Sequence, residues 1–389
     1  MICNMWIPRN FEALLRKSVA SRPVVVLTGP RQTGKTSLVR RLFPKHRYVS
    51  LDLPSEAAQA ENDPIAFLGR HRGDLVIDEV QYAPALFRHL KTVVDGARDR
   101  TGQFILTGSQ PFQLMSGISE SLAGRADILQ LDSLSYAELR SAGCDLSTEA
   151  FVLKGGFPEL HERPSLDPMR FHRSYVATYL ERDLRMQLQV GNLRDFERFL
   201  RACALRTSQL VNRAELARDV GVSPTTAGQW LSTLERSGII TLLEPWFSNA
   251  TKSLVKTPKL HFNDSGLCAF LMGMQSPEDL HASPLAGALW ETAVFTEIRK
   301  HLAVTGSWQL AYWRDRTKEA DFLLHRAGHF RIADAKWTEN PSSSGKLALV
   351  AKDIPSDPPA AIFARAANPY PLPNGTQVLP LSEIASFLE

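Results

Sequence analysis

The segment Gly29-Pro30-Arg31-Gln32-Thr33-Gly34-Lys35-Thr36 constrains the fold more than any other stretch of this 389-residue chain. It follows the apolar run Val24–Leu27 and precedes Ser37–Phe43, which reads as an amphipathic helix. Strand, glycine-bounded loop and helix, in that order, are the setting in which G-x-x-x-x-G-K-[ST] cradles phosphate. The glycines let the backbone wrap inward, so that its N–H groups and the helix N-terminus face the phosphates and Lys35 reaches the terminal ones. Thr36 is positioned to offer its hydroxyl to magnesium. Residues Gly29 to Ser37 are therefore expected to bind a nucleotide.

Downstream, the apolar strand Leu75–Ile77 ends in Asp78-Glu79. Asp78 would hold the magnesium through water, and Glu79 would polarise the attacking water. A further strand, Gln103–Leu106, runs into Thr107-Gly108-Ser109-Gln110. Ser109 is the residue expected to contact the γ-phosphate or the attacking water, with Thr107 as the alternative. Ser121-Leu122-Ala123-Gly124-Arg125 then precedes the strand Ile128–Leu131. Arg125 is a candidate cation for the γ-phosphate, in its own subunit or across a subunit contact; a loop arginine on the surface is the other reading. Strand and helix alternate four or five times, which argues for an α/β fold: a parallel sheet with helices on both faces. Ligands of such sheets bind at the carboxyl ends of the strands, where these motifs fall.

The four motifs, in this order, resemble a prokaryotic group of AAA+-like P-loop ATPases fused to a C-terminal domain of the DUF4143 type. The resemblance to the ATPase module covers roughly residues 8 to 140. It implies binding of ATP with Mg2+ and its hydrolysis, with Lys35, Thr36, Asp78, Glu79, Ser109 and Arg125 in the roles just given.

Residues 141–200 read as a helical connection. Its Gly155-Gly156-Phe157-Pro158-Glu159 turn and its Tyr179-Leu180-Glu181-Arg182-Asp183-Leu184 run look like the opening of the DUF4143-type region; packing and surface ion pairs are the expected roles. Residues 201–275 hold a helix at Ala214–Val220, the turn Gly221-Val222-Ser223, a helix from Pro224 to Gly238, and strands at Ile239–Leu243 and Lys259–Phe262. That is the pattern of a winged helix-turn-helix. Lys252, Lys256 and Lys259 would charge its wing, and Arg206, Arg213, Arg218 and Arg236 surround its helices. Double-stranded DNA is the partner this suggests. The exposed side of the second helix (Thr225, Thr226, Gln229, Ser232, Thr233) is polar without being basic, so a structural role stays open.

Residues 280–389 begin with a helix, Leu285–Leu302, that carries Glu291 and Glu297. A strand with Asp321 and a strand with Asp334-Ala335-Lys336 follow. Helix with an acid, strand with Asp, strand with Asp-x-Lys resembles the PD-(D/E)xK nuclease core. In that reading Asp321 and Asp334 hold a second metal, Lys336 positions water, and Glu291 or Glu297 assists. The remainder is expected to complete the sheet.

A net charge of +4 permits nucleic-acid binding without arguing for it. No apolar run reaches membrane-spanning length and the start lacks the pattern of a signal peptide. Cys3, Cys144, Cys203 and Cys268 lie far apart, as expected of reduced thiols in a cytoplasmic protein. An arginine acting in trans would make the protein a homo-oligomer. Three functions follow: an ATPase with a DNA-associated C-terminal half, an ATP-regulated nuclease, or an ATP-switched scaffold for protein partners.

Overall fold

The computed structural model describes residues 6–109, 121–178, 193–247, 257–342 and 346–389. The chain divides into two compact units, Pro8–Leu134 with Arg236–Gly238, and a second built mainly from Ser135–Glu235 and Ile239–Glu389.

The first unit is the expected parallel sheet. Its strands are β1 (Val24–Thr28), β2 (Arg47–Ser50), β3 (Leu75–Asp78), β4 (Phe104–Thr107) and β5 (Ala126–Gln130). They lie in the order β2-β3-β4-β1-β5. Every residue of β1, β3 and β4 is buried, which is why these strands are near-continuous apolar runs without alternation. The helix Leu86–Asp95 places Leu86, Leu90 and Val94 one above another and packs them into the core with Val24, Val26, Leu75 and Ile77. The first helix runs from Glu12 to Ser21, with Pro8 and Arg9 ahead of it outside any regular element.

The second unit holds two sheets. Strands β6 (Gln209–Leu210), β7 (Ile240–Leu243) and β8 (Lys259–Phe262) form a small antiparallel sheet with β8 in the middle. Beside it in sequence are the helices Arg213–Val220 and Pro224–Arg236, separated by Gly221-Val222-Ser223. Gly221 takes φ +83° at the helix end, and Ser223 Oγ accepts the Thr226 N–H at 3.0 Å to cap the next helix. Of the residues expected on the exposed side of that helix, Thr225 and Gln229 are exposed, whereas Thr233 is buried.

The larger sheet comprises β9 (Gln309–Arg314), β10 (Glu319–Arg326), β11 (His329–Ala335), β12 (Ala360–Phe363), β13 (Tyr370–Pro371) and β14 (Gln377–Leu379). Its order is β13-β14-β12-β11-β10-β9, antiparallel across β9–β11 and parallel from β11 through β12 to β14. The segment after Pro355 thus completes the sheet and ends in the helix Ile384–Leu388, as its sequence suggests.

The Gly155-Gly156 turn proves to be a point of close packing. Asp264 caps the helix Ser265–Met272 through Oδ1 and accepts the Gly156 N–H on Oδ2 at 2.9 Å. A Cβ on Gly155 would come within 2.1 Å of Asp264 Oδ1, and one on Gly266 within 2.3 Å of the Lys154 carbonyl, so both crossings demand glycine. The Tyr179–Leu184 run lies outside the described residues.

His161, buried at the same turn, donates from Nε2 to the Gly155 carbonyl at 2.7 Å, and burial lowers its pKa to about 4. An unfolded histidine binds a proton more tightly, so stability held above pH 6.5 is lost as the pH falls toward 4. His161 alone accounts for up to ~3 kcal/mol of that loss. Urea unfolding at pH 7 and pH 4.5 measures it; His161→Gln, which keeps a donor for Gly155, is expected to reduce the difference, and an unchanged difference would reject this assignment.

Candidate active site

Because β4 lies between β1 and β3, the parallel sheet brings three carboxyl ends together: Thr28 into the loop, Asp78, and Thr107. The loop after β1 is shaped by backbone that ordinary residues avoid. Gly29 takes φ +139°, Gln32 +61° and Gly34 +90°. A Cβ on Gly29 would lie 2.2 Å from the Leu131 carbonyl oxygen, so the cradle leaves no room for a side chain there. Thr33 Oγ1 donates to the Pro30 carbonyl at 3.0 Å and pins the loop from within. Arg9 supports it from outside, with Nη1 3.0 Å from the Thr33 oxygen and Nη2 2.7 Å from the Asp132 oxygen.

The helix Lys35–Leu42 begins directly at the loop, with Gly34 before its first turn and Ser37 exposed in it. Lys35 is buried and donates from Nζ to the Gly29 and Pro30 carbonyls at 2.9 and 2.8 Å. Burial lowers its pKa to about 8, although the charges of Glu79 and Asp78 act in the other direction. An ammonium paired only with carbonyl dipoles in a buried cradle is a strong electrostatic match for phosphate.

Asp78 collects hydroxyl groups from three elements. Thr36 Oγ1 donates to Oδ1 and Oδ2 at 3.2 and 3.0 Å, Tyr48 donates to Oδ2 at 2.7 Å, and Thr107 donates to Oδ1. Burial and the Asp78 carboxylate push the Tyr48 phenol up to about 12. Glu79 takes φ +53°, a left-handed conformation that is unusual for a side chain of this kind. Its Oε2 accepts the Ser109 N–H at 3.2 Å, the Ser109 hydroxyl at 3.1 Å and the Gln81 amide. Lys35, Thr36, Asp78, Glu79 and Ser109 are thus brought together. Ser109, expected at the γ-phosphate or the attacking water, is bonded to Glu79, the residue expected to polarise that water.

Arg125 is not brought to this group. Its carbonyl accepts the Val24 N–H at the amino end of β1, the opposite edge of the sheet from the loop. Its guanidinium binds Asp95 in a two-bond pair, Nε to Oδ1 at 2.7 Å and Nη2 to Oδ2 at 2.9 Å. Within one chain, therefore, Arg125 has no path to a phosphate held at Gly29–Thr36. Arg9, Tyr48 and Gln81 were not singled out from sequence; the phase of Tyr48 on β2 becomes meaningful only once β2 is known to neighbour β3.

In the second unit, Glu291, Asp321, Asp334 and Lys336 converge as the Asp-x-Lys pattern anticipates. Lys336 Nζ lies 3.4 Å from Asp334 Oδ2 and 3.7 Å from Asp321 Oδ2. Burial and the Asp321 charge push Asp334 up to about 6. Glu297 is elsewhere: it pairs with Lys300 at 2.9 Å and accepts the Tyr136 N–H at 2.7 Å. Lys259, expected on an exposed wing, is instead buried among Glu291, Glu319 and Asp321. The reason is topological, since β8 is the central strand of its sheet. Lys252 and Lys256 lie outside the described residues. Arg206 pairs with Asp219, while Arg213 and Arg218 are exposed.

A family model for AAA domains matches residues 21–140, and the models of two domains of unknown function, DUF8612 and DUF4143, match residues 146–278 and 286–384. Uncharacterized protein Rv2008c of Mycobacterium tuberculosis is 32% identical over 388 residues, covering 96% of this chain and 82% of its own length. A counterpart from Mycobacterium bovis matches to the same extent. The chain belongs to this family, which joins an AAA domain of P-loop ATPase fold to a C-terminal DUF4143 domain. Among solved structures, the Walker-type ATPase paby2304 of Pyrococcus abyssi is 18% identical with a TM-score of 0.47, covering 68% of this chain and 96% of that one. The Thermotoga maritima RuvB Holliday junction branch migration motor is 19% identical with a TM-score of 0.32, covering 60% of this chain and 88% of its own. Among the described residues of this AAA and DUF4143 protein, no helix is long and apolar enough to cross a membrane.

Proposed function

We propose that the AAA domain, residues 1–140, hydrolyses ATP with magnesium. One observation carries this reading: the adjacent carboxylates of Asp78 and Glu79 are each gathered by hydrogen bonds from the end of β4, beside a buried lysine in a glycine-walled loop. Bound ATP with magnesium supplies the γ-phosphoryl group and a cation that spreads its charge. The N–H groups of Gly29–Thr36 and the helix start receive the phosphates. Lys35 turns its ammonium from the Gly29 and Pro30 carbonyls to phosphate oxygen. Thr36 and Asp78, already bonded to each other, are the residues that would hold magnesium. Glu79 takes the proton of the attacking water, and Ser109 and Gln81 keep its carboxylate aimed. Measuring phosphate release by the full chain with and without magnesium tests the reading; no magnesium-dependent release would reject it.

Arg125 contributes only across a contact with a second copy. Lys35→Ala and Arg125→Ala chains, each expected to be inactive alone, should together recover up to about a quarter of the activity, since one chain then supplies the loop and the other the arginine. No recovery on mixing would reject action in trans.

Residues 201–275 are read as a winged helix-turn-helix between a helical connection at 141–200 and the α/β domain at 280–389. Exposed Arg213, Arg218, Thr225 and Gln229 favour contact with the DNA backbone. Salt-dependent binding of duplex DNA would support this, and its absence would favour the scaffold reading.

A further inference from the structure

The carboxylates that the nuclease pattern would use to hold a metal already surround a cation, and the cation belongs to the chain. Lys259 Nζ lies 3.1 Å from Glu291 Oε1 and 3.3 Å from Asp321 Oδ1, and it pairs with Glu319 Oε1. Its side chain is only 3% exposed. On the other side of Asp321, Lys336 faces both Asp321 Oδ2 and Asp334 Oδ2. Backbone groups take further positions: Asp321 Oδ2 accepts the Ala335 N–H at 3.0 Å, and Asp334 Oδ1 accepts the Asp321 N–H at 3.2 Å. Every oxygen of Asp321 and Asp334 is therefore engaged.

Magnesium requires near-octahedral oxygen ligands at about 2.1 Å. An ammonium on Asp321 Oδ1 and Glu291 Oε1 occupies the space such an ion would need, and repels it. Among the described residues, no group of three or more histidine, cysteine or acidic side chains is arranged to hold a metal ion. The residues at this cluster do not fit the metal that the nuclease resemblance implies.

Nor is Lys259 a mobile surface residue that has wandered in. It sits on β8, bonded on one edge to β6 and on the other to β7. The Tyr312 ring stands 5.5 Å from its Nζ, and the Tyr312 hydroxyl donates to the Thr257 carbonyl two residues before it. Tyr312 also exchanges backbone bonds with the segment after β7: its N–H reaches the Glu244 oxygen at 3.2 Å, and its oxygen accepts the Trp246 N–H at 2.7 Å. The strand carrying the ammonium is thereby fixed on both sides.

We infer that Lys259 is a built-in cation that takes the metal's place in the Glu291–Asp321–Asp334 cluster. The DUF4143 domain then holds a sealed relative of a metal site, used to clamp β8, and does not cleave phosphodiesters with a metal. Removing the ammonium opens the same carboxylates to a divalent ion.

The test is a Mn2+ titration of the full chain without nucleotide, reading free Mn2+ by electron paramagnetic resonance. Wild type and Asp321→Asn are expected to bind Mn2+ alike. Lys259→Met should gain one site per chain, and Lys259→Met with Asp321→Asn should lose it again. Lys259→Gln serves as a second variant with the charge removed and polarity kept. A folded Lys259→Met that gains no site would overturn the proposal. So would Mn2+ binding, or Mn2+-dependent nicking of plasmid DNA, by the wild type that Asp321→Asn abolishes. That wild-type comparison decides the matter even if neither lysine variant folds.

Discussion

Glu79→Gln is expected to slow ATP hydrolysis by about 10³-fold while leaving ATP bound, within the range that a positioned proton acceptor supplies. The amide has nearly the carboxylate's shape, so it can still face the Ser109 hydroxyl and N–H that hold Glu79 at 3.1 and 3.2 Å. What it loses is the capacity to take a proton from water. The loop and Lys35 are untouched, so a fluorescent ATP analogue should bind as tightly as before. Phosphate release measured beside analogue binding separates the two effects; normal turnover in this variant would remove Glu79 from the mechanism. Ser109→Ala should show a weaker form of the same phenotype, because its hydroxyl orients Glu79 and does not itself accept the proton.

Lys35→Ala is expected to weaken ATP binding by about 10²-fold, the loss of one charge-assisted bond to phosphate. A second signature follows from the lysine's environment. In the empty site its pKa is lowered to about 8 by burial. Bound phosphate raises it, so above pH 8 binding takes up a proton. Affinity should be level below pH 8 and fall by up to ~10-fold per pH unit above it, until the bound lysine also loses its proton. Calorimetry in two buffers of different ionisation enthalpy reads the proton directly, and Lys35→Ala should abolish both proton uptake and pH dependence. For the empty fold the sign reverses. Unfolded lysine holds its proton more tightly, so stability rises as pH climbs from 8 toward 10.5. A wild type whose affinity is flat from pH 7 to 9.5 would contradict this account.

The nucleotide loop was legible because its chemistry is contiguous: eight residues carry the glycines, the lysine and the threonine, and the flanking strand and helix are adjacent in sequence. Asp78 and Glu79 were legible for the same reason. Tyr48 and Arg9 were not, because their contacts depend on sheet order and on a loop packing against a distant turn. The ambiguity between Glu291 and Glu297 yields to geometry. Six residues along a helix turn the side chain by about 240°, so the two cannot face one site together. Lys259 reads as a wing residue because it lies in a basic stretch and alternates with Leu260 and Phe262, which places it on the polar face of a half-buried strand, whereas β8 is buried on both faces. Nothing local in the sequence told that three carboxylates would meet it.

The order β2-β3-β4-β1-β5 also has a temporal side. β1 is synthesised well before both of its partners: β4 ends at Thr107 and β5 at Gln130. Until β4 has left the ribosome, the strand leading into the nucleotide loop has neither edge paired, and β5 and the Leu131 carbonyl that packs against Gly29 follow later still. The nascent protein therefore carries a Val-Val-Val-Leu strand with neither edge paired for about eighty residues of synthesis, from Thr28 to Thr107, the kind of segment that domain-wise folding leaves open to chaperones.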